Sequence, residues 1–205
     1  MLFFNCSGLR DIHIENAKKN VNKALQDKDK LLSFLVSHSK WIETLKKIKP
    51  EEMEELEHHA SMISWLDEII IDQEDTLKLQ GHKLNLSSSK LYFRDKFMQK
   101  KNNVFSAENA NEGILHALFY LALFISKKTP KLFAIDNIET ALNPGLCRAL
   151  IERLVILAKK HDKQVLITTH NPAILDGLNL HDEEQRLFTV ARNKKGHTKV
   201  KHLKI

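Results

Sequence analysis

Two short apolar runs, each ending abruptly in polar residues, constrain this chain more than any other feature. Lys131-Leu-Phe-Ala-Ile135 runs straight into Asp136-Asn137, and Gln164-Val-Leu-Ile-Thr168 runs into Thr169-His170 before Asn171-Pro172 stops it. Apolar runs of this length, bounded by polar residues, read as strands buried on both faces. Between them, Pro144 to His161 reads as a helix, with Asn143 suited to cap it and Pro144 to open it. A strand, a crossover helix and a second strand make a parallel pair whose two tips lie on one sheet edge. Ligands of open α/β sheets sit beyond the carboxyl ends of the strands, so Asp136 and His170 stand where a cation or a phosphate would be held. A carboxylate in that place suits Mg²⁺. The plainer alternative is an aspartate that caps a turn.

The flanking sequence has a different texture. Asp11 to Lys49 contains neither Gly nor Pro and spaces Val21, Ala24, Leu25, Leu31, Leu32 and Leu35 as a helix would, predicting one long helix or two. Pro50-Glu51-Glu52 opens a further helix, with Met53, Leu56, Ala60, Ile63 and Leu66 as its apolar stripe. The result is a helical hairpin over residues 1–67, serving as a stalk or a packing arm. From Glu68 the runs shorten: Ile69–Ile71, Thr76–Leu79, Lys83–Leu86 and Lys90–Phe93 predict a small antiparallel meander. A helix from about Asn111 to Ser126 follows. The chain closes with a hairpin, Arg186–Arg192 and His197–Leu203, turning at Asn193-Lys194-Lys195-Gly196. Residues 68–205 are expected to form one α/β lobe.

Composition excludes several classes. Two cysteines, Cys6 and Cys147, give neither a disulfide framework nor paired metal-ligand spacing, which points to a reducing compartment and a cytoplasmic location. The most apolar stretch, Ile114 to Ile125, is too short to span a bilayer, and Met1-Leu2-Phe3-Phe4 lacks the basic region and cleavage site of a secretion signal. Eleven histidines include no His-x-x-x-His pattern and no histidine beside a cysteine pair, so they predict no zinc site. The hydroxyls of Ser7 and Ser106 have no adjacent histidine and no nucleophile–base arrangement stands out, so no nuclease is expected. The net charge of +6 permits contact with DNA, through Lys194, Lys195, Lys199 and Lys201 of the last hairpin, or reflects solvated surface lysines.

Together these residues resemble the C-terminal half of ABC-type ATPases, in the SMC/RecF-like branch whose soluble members are called AAA_21-type. Leu132 to Asp136 matches the Walker B strand, Thr140-Ala141-Leu142-Asn143 the D-loop, and His170 the switch histidine. Upstream, Ala110-Asn111-Glu112-Gly113 matches the signature turn that opens a helix, with Asn111 at the serine position. The resemblance covers Ser106 to Leu178 closely. Within the branch, the signature, the Ile-Asp-Asn of Walker B and Thr-Thr-His-Asn-Pro look most like PtuA-like ATPases of bacterial anti-phage systems of the Septu or retron type. It implies ATP and Mg²⁺ as cofactors and a homodimer closed around nucleotide. Asp136 would bind Mg²⁺ and His170 would sense the γ-phosphate. Asn111, Glu112 and Gly113, with Ala141, Leu142 and Asn143, would meet the nucleotide and the partner subunit. A nuclease partner, DNA and a regulatory role in defence or DNA repair are the wider implications.

Two departures qualify this. No Gly-x-x-x-x-Gly-Lys-Ser/Thr loop occurs among the six glycines, so the phosphate-binding lobe must come from upstream sequence or from a separate polypeptide. Asn137 stands where the family usually places a glutamate that polarises the attacking water. Asparagine cannot accept the proton, a loss typically of about 10²–10⁴-fold, so hydrolysis is expected to be slow. Glu139, two residues on, either takes over part of that work or stands as a surface residue of the D-loop. A hydrolysis-impaired, nucleotide-gated scaffold controlling a nuclease is the alternative function.

Overall fold

The computed structural model describes the backbone of residues 2–4, and residues 49–72, 77 and 91–203. The chain divides into two compact units. One holds the first strand and the residues from Lys127 onward; the other holds the described residues between 49 and 126. Lys49 apart, the expected helices over Asp11 to Lys49 lie outside the described residues, as do Lys83–Leu86 and, Leu77 apart, Thr76–Leu79.

In the unit built from residues 49–126, helix α1 spans Pro50–Ala60 and begins as its sequence requires. Pro50 fills the first turn, and the Lys49 N–H donates to the Glu52 carboxylate at 3.1 Å. The apolar stripe outlasts the helix. The Ser61 hydroxyl donates to the carbonyl of His58 at 2.6 Å, and the chain then turns through Met62 and Ile63. Local side-chain bonding of this kind competes with helix continuation. Ile63 is still buried because the turn folds it inward, while Leu66 opens a strand instead.

Three antiparallel strands follow in the order β2-β3-β4, at Leu66–Ile71, Leu91–Asp95 and Val104–Ser106. Phe93 of the central strand pairs with Ile69 on one side and Phe105 on the other, and is fully buried. The third strand, β4, is an addition to the expected meander. Helix α2, Glu112–Ile125, packs against α1 and buries Leu118, Leu121, Phe124 and Ile125 completely.

The second unit is a mixed α/β layer whose strands lie in the order β5 (Leu132–Ile135), β6 (Gln164–Ile167), β1 (Leu2–Phe4), β7 (Arg186–Arg192) and β8 (Thr198–Leu203). Strands β5 (Leu132–Ile135) and β6 (Gln164–Ile167) are parallel, in register from Leu132 with Gln164 to Ile135 with Ile167. Helix α3, Pro144–Lys160, connects them. It buries Cys147, Leu150, Ile151, Leu154, Leu157 and Ala158, a stripe at three- and four-residue spacing. Four of these are fully buried Leu or Ile side chains, each worth roughly 1.5–3 kcal/mol of transfer free energy. Strand β1, Leu2–Phe4, lies between β6 and β7 and is antiparallel to both.

Strands β7 (Arg186–Arg192) and β8 (Thr198–Leu203) form the closing hairpin. At its turn the Asn193 side-chain oxygen accepts from the N–H groups of Lys195 and His197, both at 2.9 Å, and Gly196 adopts φ 80°. Among the described residues no helix is long and apolar enough to cross a membrane.

Candidate functional site

The parallel register of β5 and β6 sets Asp136 and Thr168 side by side as the first residues beyond the two strands. The Thr168 hydroxyl donates to the Asp136 carboxylate, and its oxygen accepts from the N–H of Asn137 at 2.9 Å. Backbone bonds continue the pairing past the strands: Thr168 N–H to the carbonyl of Ile135 at 2.9 Å, and Ile138 N–H to the carbonyl of Thr168 at 3.3 Å. One hydroxyl therefore fixes the carboxylate and the residue after it.

Asn137 adopts the left-handed conformation, φ 50°, which asparagine tolerates better than most side chains. Its carbonyl receives the N–H of Thr140 at 3.0 Å and the Thr140 hydroxyl at 2.7 Å, closing a tight turn. Ala141 is also left-handed, at φ 62°, where a Cβ costs on the order of 1 kcal/mol. Leu142 is buried in its own unit, so its side chain serves packing, whereas Ala141 and Asn143 are exposed. Asn143 caps α3 as its sequence foretold, its side-chain oxygen accepting from the N–H of Leu146 at 2.9 Å.

His170 is exposed at the tip beyond β6. Its N–H donates to Glu139 Oε1 at 2.8 Å, a link between the two loops that the sequence did not signal. Partial burial acts to raise the pKa of Glu139. The His170 N–H, with the nearby Thr169 hydroxyl, outweighs it and holds the carboxyl below its usual range. Beyond His170, Asn171 accepts from the N–H of Ala173 at 3.0 Å and opens a short 3₁₀ turn, Pro172–Gly177. That turn lies tight on α3: a Cβ on Gly177 would meet the carbonyl oxygen of Arg148 at 2.6 Å.

Asn111, Glu112 and Gly113 belong to the other unit and form the start of α2. Asn111 caps the helix, its side-chain oxygen accepting from the N–H of Gly113 at 2.7 Å. Gly113 is buried, while Asn111 and Glu112 are exposed.

The strand-tip residues fit Mg²⁺ in one respect. Among the described residues no cluster of three or more His, Cys, Asp or Glu forms a cage of its own. Mg²⁺ needs none, since it keeps several waters and is usually held by one or two carboxylates together with substrate phosphates. Asp136, exposed and pinned by one hydroxyl, is such a carboxylate.

A family model described as "AAA domain, putative AbiEii toxin, Type IV TA system" matches residues 7–176, most of the chain, including Asn111 to Gly113 and Asp136 to His170. The chain belongs to this AAA-domain family. The AAA-domain chain matches no curated protein. A solved structure from work on the structural biochemistry of ATP-driven dimerization and DNA-stimulated activation of SMC ATPases aligns with it at 13% identity and a TM-score of 0.46, over 73% of this chain and 84% of that one.

Of the residues expected from sequence, Asp136, Asn137, Glu139 and His170 come together at one sheet edge, with Ala141 and Asn143 on the turn beside them. Thr168 is the member that sequence reasoning undervalued. A hydroxyl at the tip of a buried strand, in register with a carboxylate on its parallel neighbour, was the available signal.

Proposed function

We propose that this chain supplies the Walker B, D-loop and switch-histidine side of an ATP site, in an SMC-like ATPase that dimerises around nucleotide. One observation carries the reading: Asp136 and the His170 loop occupy the carboxyl ends of neighbouring parallel strands and are cross-linked through Thr168 and Glu139. Membership of an AAA-domain family supports nucleotide as the ligand.

In this reading Asp136 orients Mg²⁺, and His170 meets the γ-phosphate from the neighbouring tip. When bound there, Mg²⁺ would supply positive charge to offset that of the phosphates. The exposed N-terminus of α2, around Asn111 and Glu112, faces the nucleotide of a second subunit, and Ala141 and Asn143 meet that subunit along the D-loop. The phosphate-binding loop comes from another lobe. The wider role is that of a regulatory ATPase in an anti-phage or DNA-repair-like complex in the cytoplasm, with a nuclease as the regulated partner. The family's description as a toxin of a toxin–antitoxin system supports a defensive setting.

The test uses the full natural protein with Mg²⁺-ATP, reading binding, turnover and mass by light scattering. ATP-dependent dimers are expected, with turnover abolished by Asp136→Ala and reduced at least about ten-fold by His170→Ala. A full-length protein that binds no ATP, alone or with its partner chains, overturns the proposal.

A second reading, a nucleotide-gated scaffold that scarcely hydrolyses ATP, is favoured by Asn137. Its left-handed backbone suits asparagine, and its amide cannot take a proton. Asn137→Glu should raise turnover at least about ten-fold under that reading; an unchanged rate counts against it.

A further inference from the structure

We infer that Glu139 is a positioning residue, whose carboxylate holds the backbone of His170 and thereby couples the D-loop turn to the switch loop. The inference rests on reading His170 as the group that meets the γ-phosphate.

The two oxygens of Glu139 decide between this role and that of a general base. Oε1 accepts the N–H of His170 at 2.8 Å. Oε2 is sealed from solvent, facing inward near the Thr169 hydroxyl. A general base must present an oxygen to the attacking water, and here one oxygen is committed and the other enclosed. A charged acceptor on a backbone N–H is, by contrast, a strong and directional restraint.

Both ends of the link are themselves fixed. On the D-loop side the N–H of Leu142 donates to the Glu139 carbonyl at 3.0 Å, across the left-handed Ala141. A displacement of Ala141 therefore pulls directly on Glu139. On the switch side the Thr169 hydroxyl accepts from the N–H of Asn171 at 3.1 Å, so the residues flanking His170 are tied to each other. The Glu139 carboxylate joins these two turns across 31 residues of sequence. A subunit contact on the exposed Ala141 would thus reach the histidine through a single side chain.

The experiment compares Glu139→Gln, which retains an acceptor oxygen, with Glu139→Ala and Glu139→Asp, which lose the acceptor or its reach. Amide exchange of His170, read by NMR in nucleotide-free protein, should accelerate about ten-fold or more in the Ala and Asp variants and stay within about three-fold of wild type in Gln. Unchanged α3 amides serve as the control for folding. In the full natural protein with Mg²⁺-ATP, Glu139→Gln should recover at least about a third of wild-type turnover while Glu139→Ala falls about ten-fold. Unaltered His170 exchange in both Ala and Asp overturns the link, and equal loss of turnover in Gln and Ala overturns positioning in favour of proton transfer. A wild type that binds no ATP defeats the ATPase reading alone, because the exchange measurement needs no nucleotide.

Discussion

The hydroxyl of Thr168 donates to the carboxylate of Asp136 across the parallel pair β5 and β6, while its oxygen accepts the N–H of Asn137. Thr168→Val keeps the shape and removes both bonds, leaving one amide short of a partner. A loss of about 1–3 kcal/mol is expected in urea denaturation, with Thr168→Ser recovering most of it. Equal stability of the Val variant would show that the hydroxyl contributes nothing.

The 3₁₀ turn after His170 depends on a missing side chain. A Cβ at Gly177 would stand 2.6 Å from the Arg148 carbonyl oxygen and 2.9 Å from the Ile151 Cβ, neither at the free end of a flexible side chain. Gly177→Ala should therefore destabilise the unit by about 1–3 kcal/mol, seen as a lower Tm. No change in Tm would mean that the turn does not pack on α3 as described.

Ala141 carries a backbone strain that glycine would relieve. At φ 62°, Ala141→Gly should leave stability within about 0.5 kcal/mol of wild type or raise it, because relief of strain offsets the lost rigidity of the unfolded chain. Ala141→Val, β-branched, should cost more than about 1 kcal/mol. A Val variant as stable as the Gly variant would remove the left-handed assignment.

The far end of α3 gives a pH prediction. The Lys159 ammonium, 2.6 Å from Asp182, holds the Asp182 carboxyl below its ordinary value of 3.8. A carboxyl depressed in the folded state contributes stability above that ordinary value, and the contribution is lost as pH falls through the folded pKa. Wild type and Asp182→Asn should therefore differ in urea midpoint at pH 6, and the difference should shrink as pH falls below 3.8. A difference that persists undiminished at low pH would assign it to packing instead.

Local chemistry explains what was legible in the sequence. Asn111 and Asn143 cap their helices through bonds two and three residues ahead, and α3 shows its buried face in a periodic stripe. Pro50 and Gly196 likewise act within a turn of their own position. The end of α1 was harder to read, since the stripe through Leu66 continued although the backbone did not. There the Ser61 hydroxyl, bonding to His58, stops the helix against the pattern.

The sequence by itself determined the strand, helix and strand from Lys131 to His170, their caps, and which residues stand at the strand tips. These follow from burial periodicity and from bonds that close within four residues. Only the tertiary structure decided that β1 enters the sheet between β6 and β7, that Thr168 holds Asp136, and that Glu139 holds His170. Those relations join residues about 30 or more positions apart. No local propensity encodes such a pairing; it is set by sheet register and by which polar groups are left to satisfy one another once the layers close.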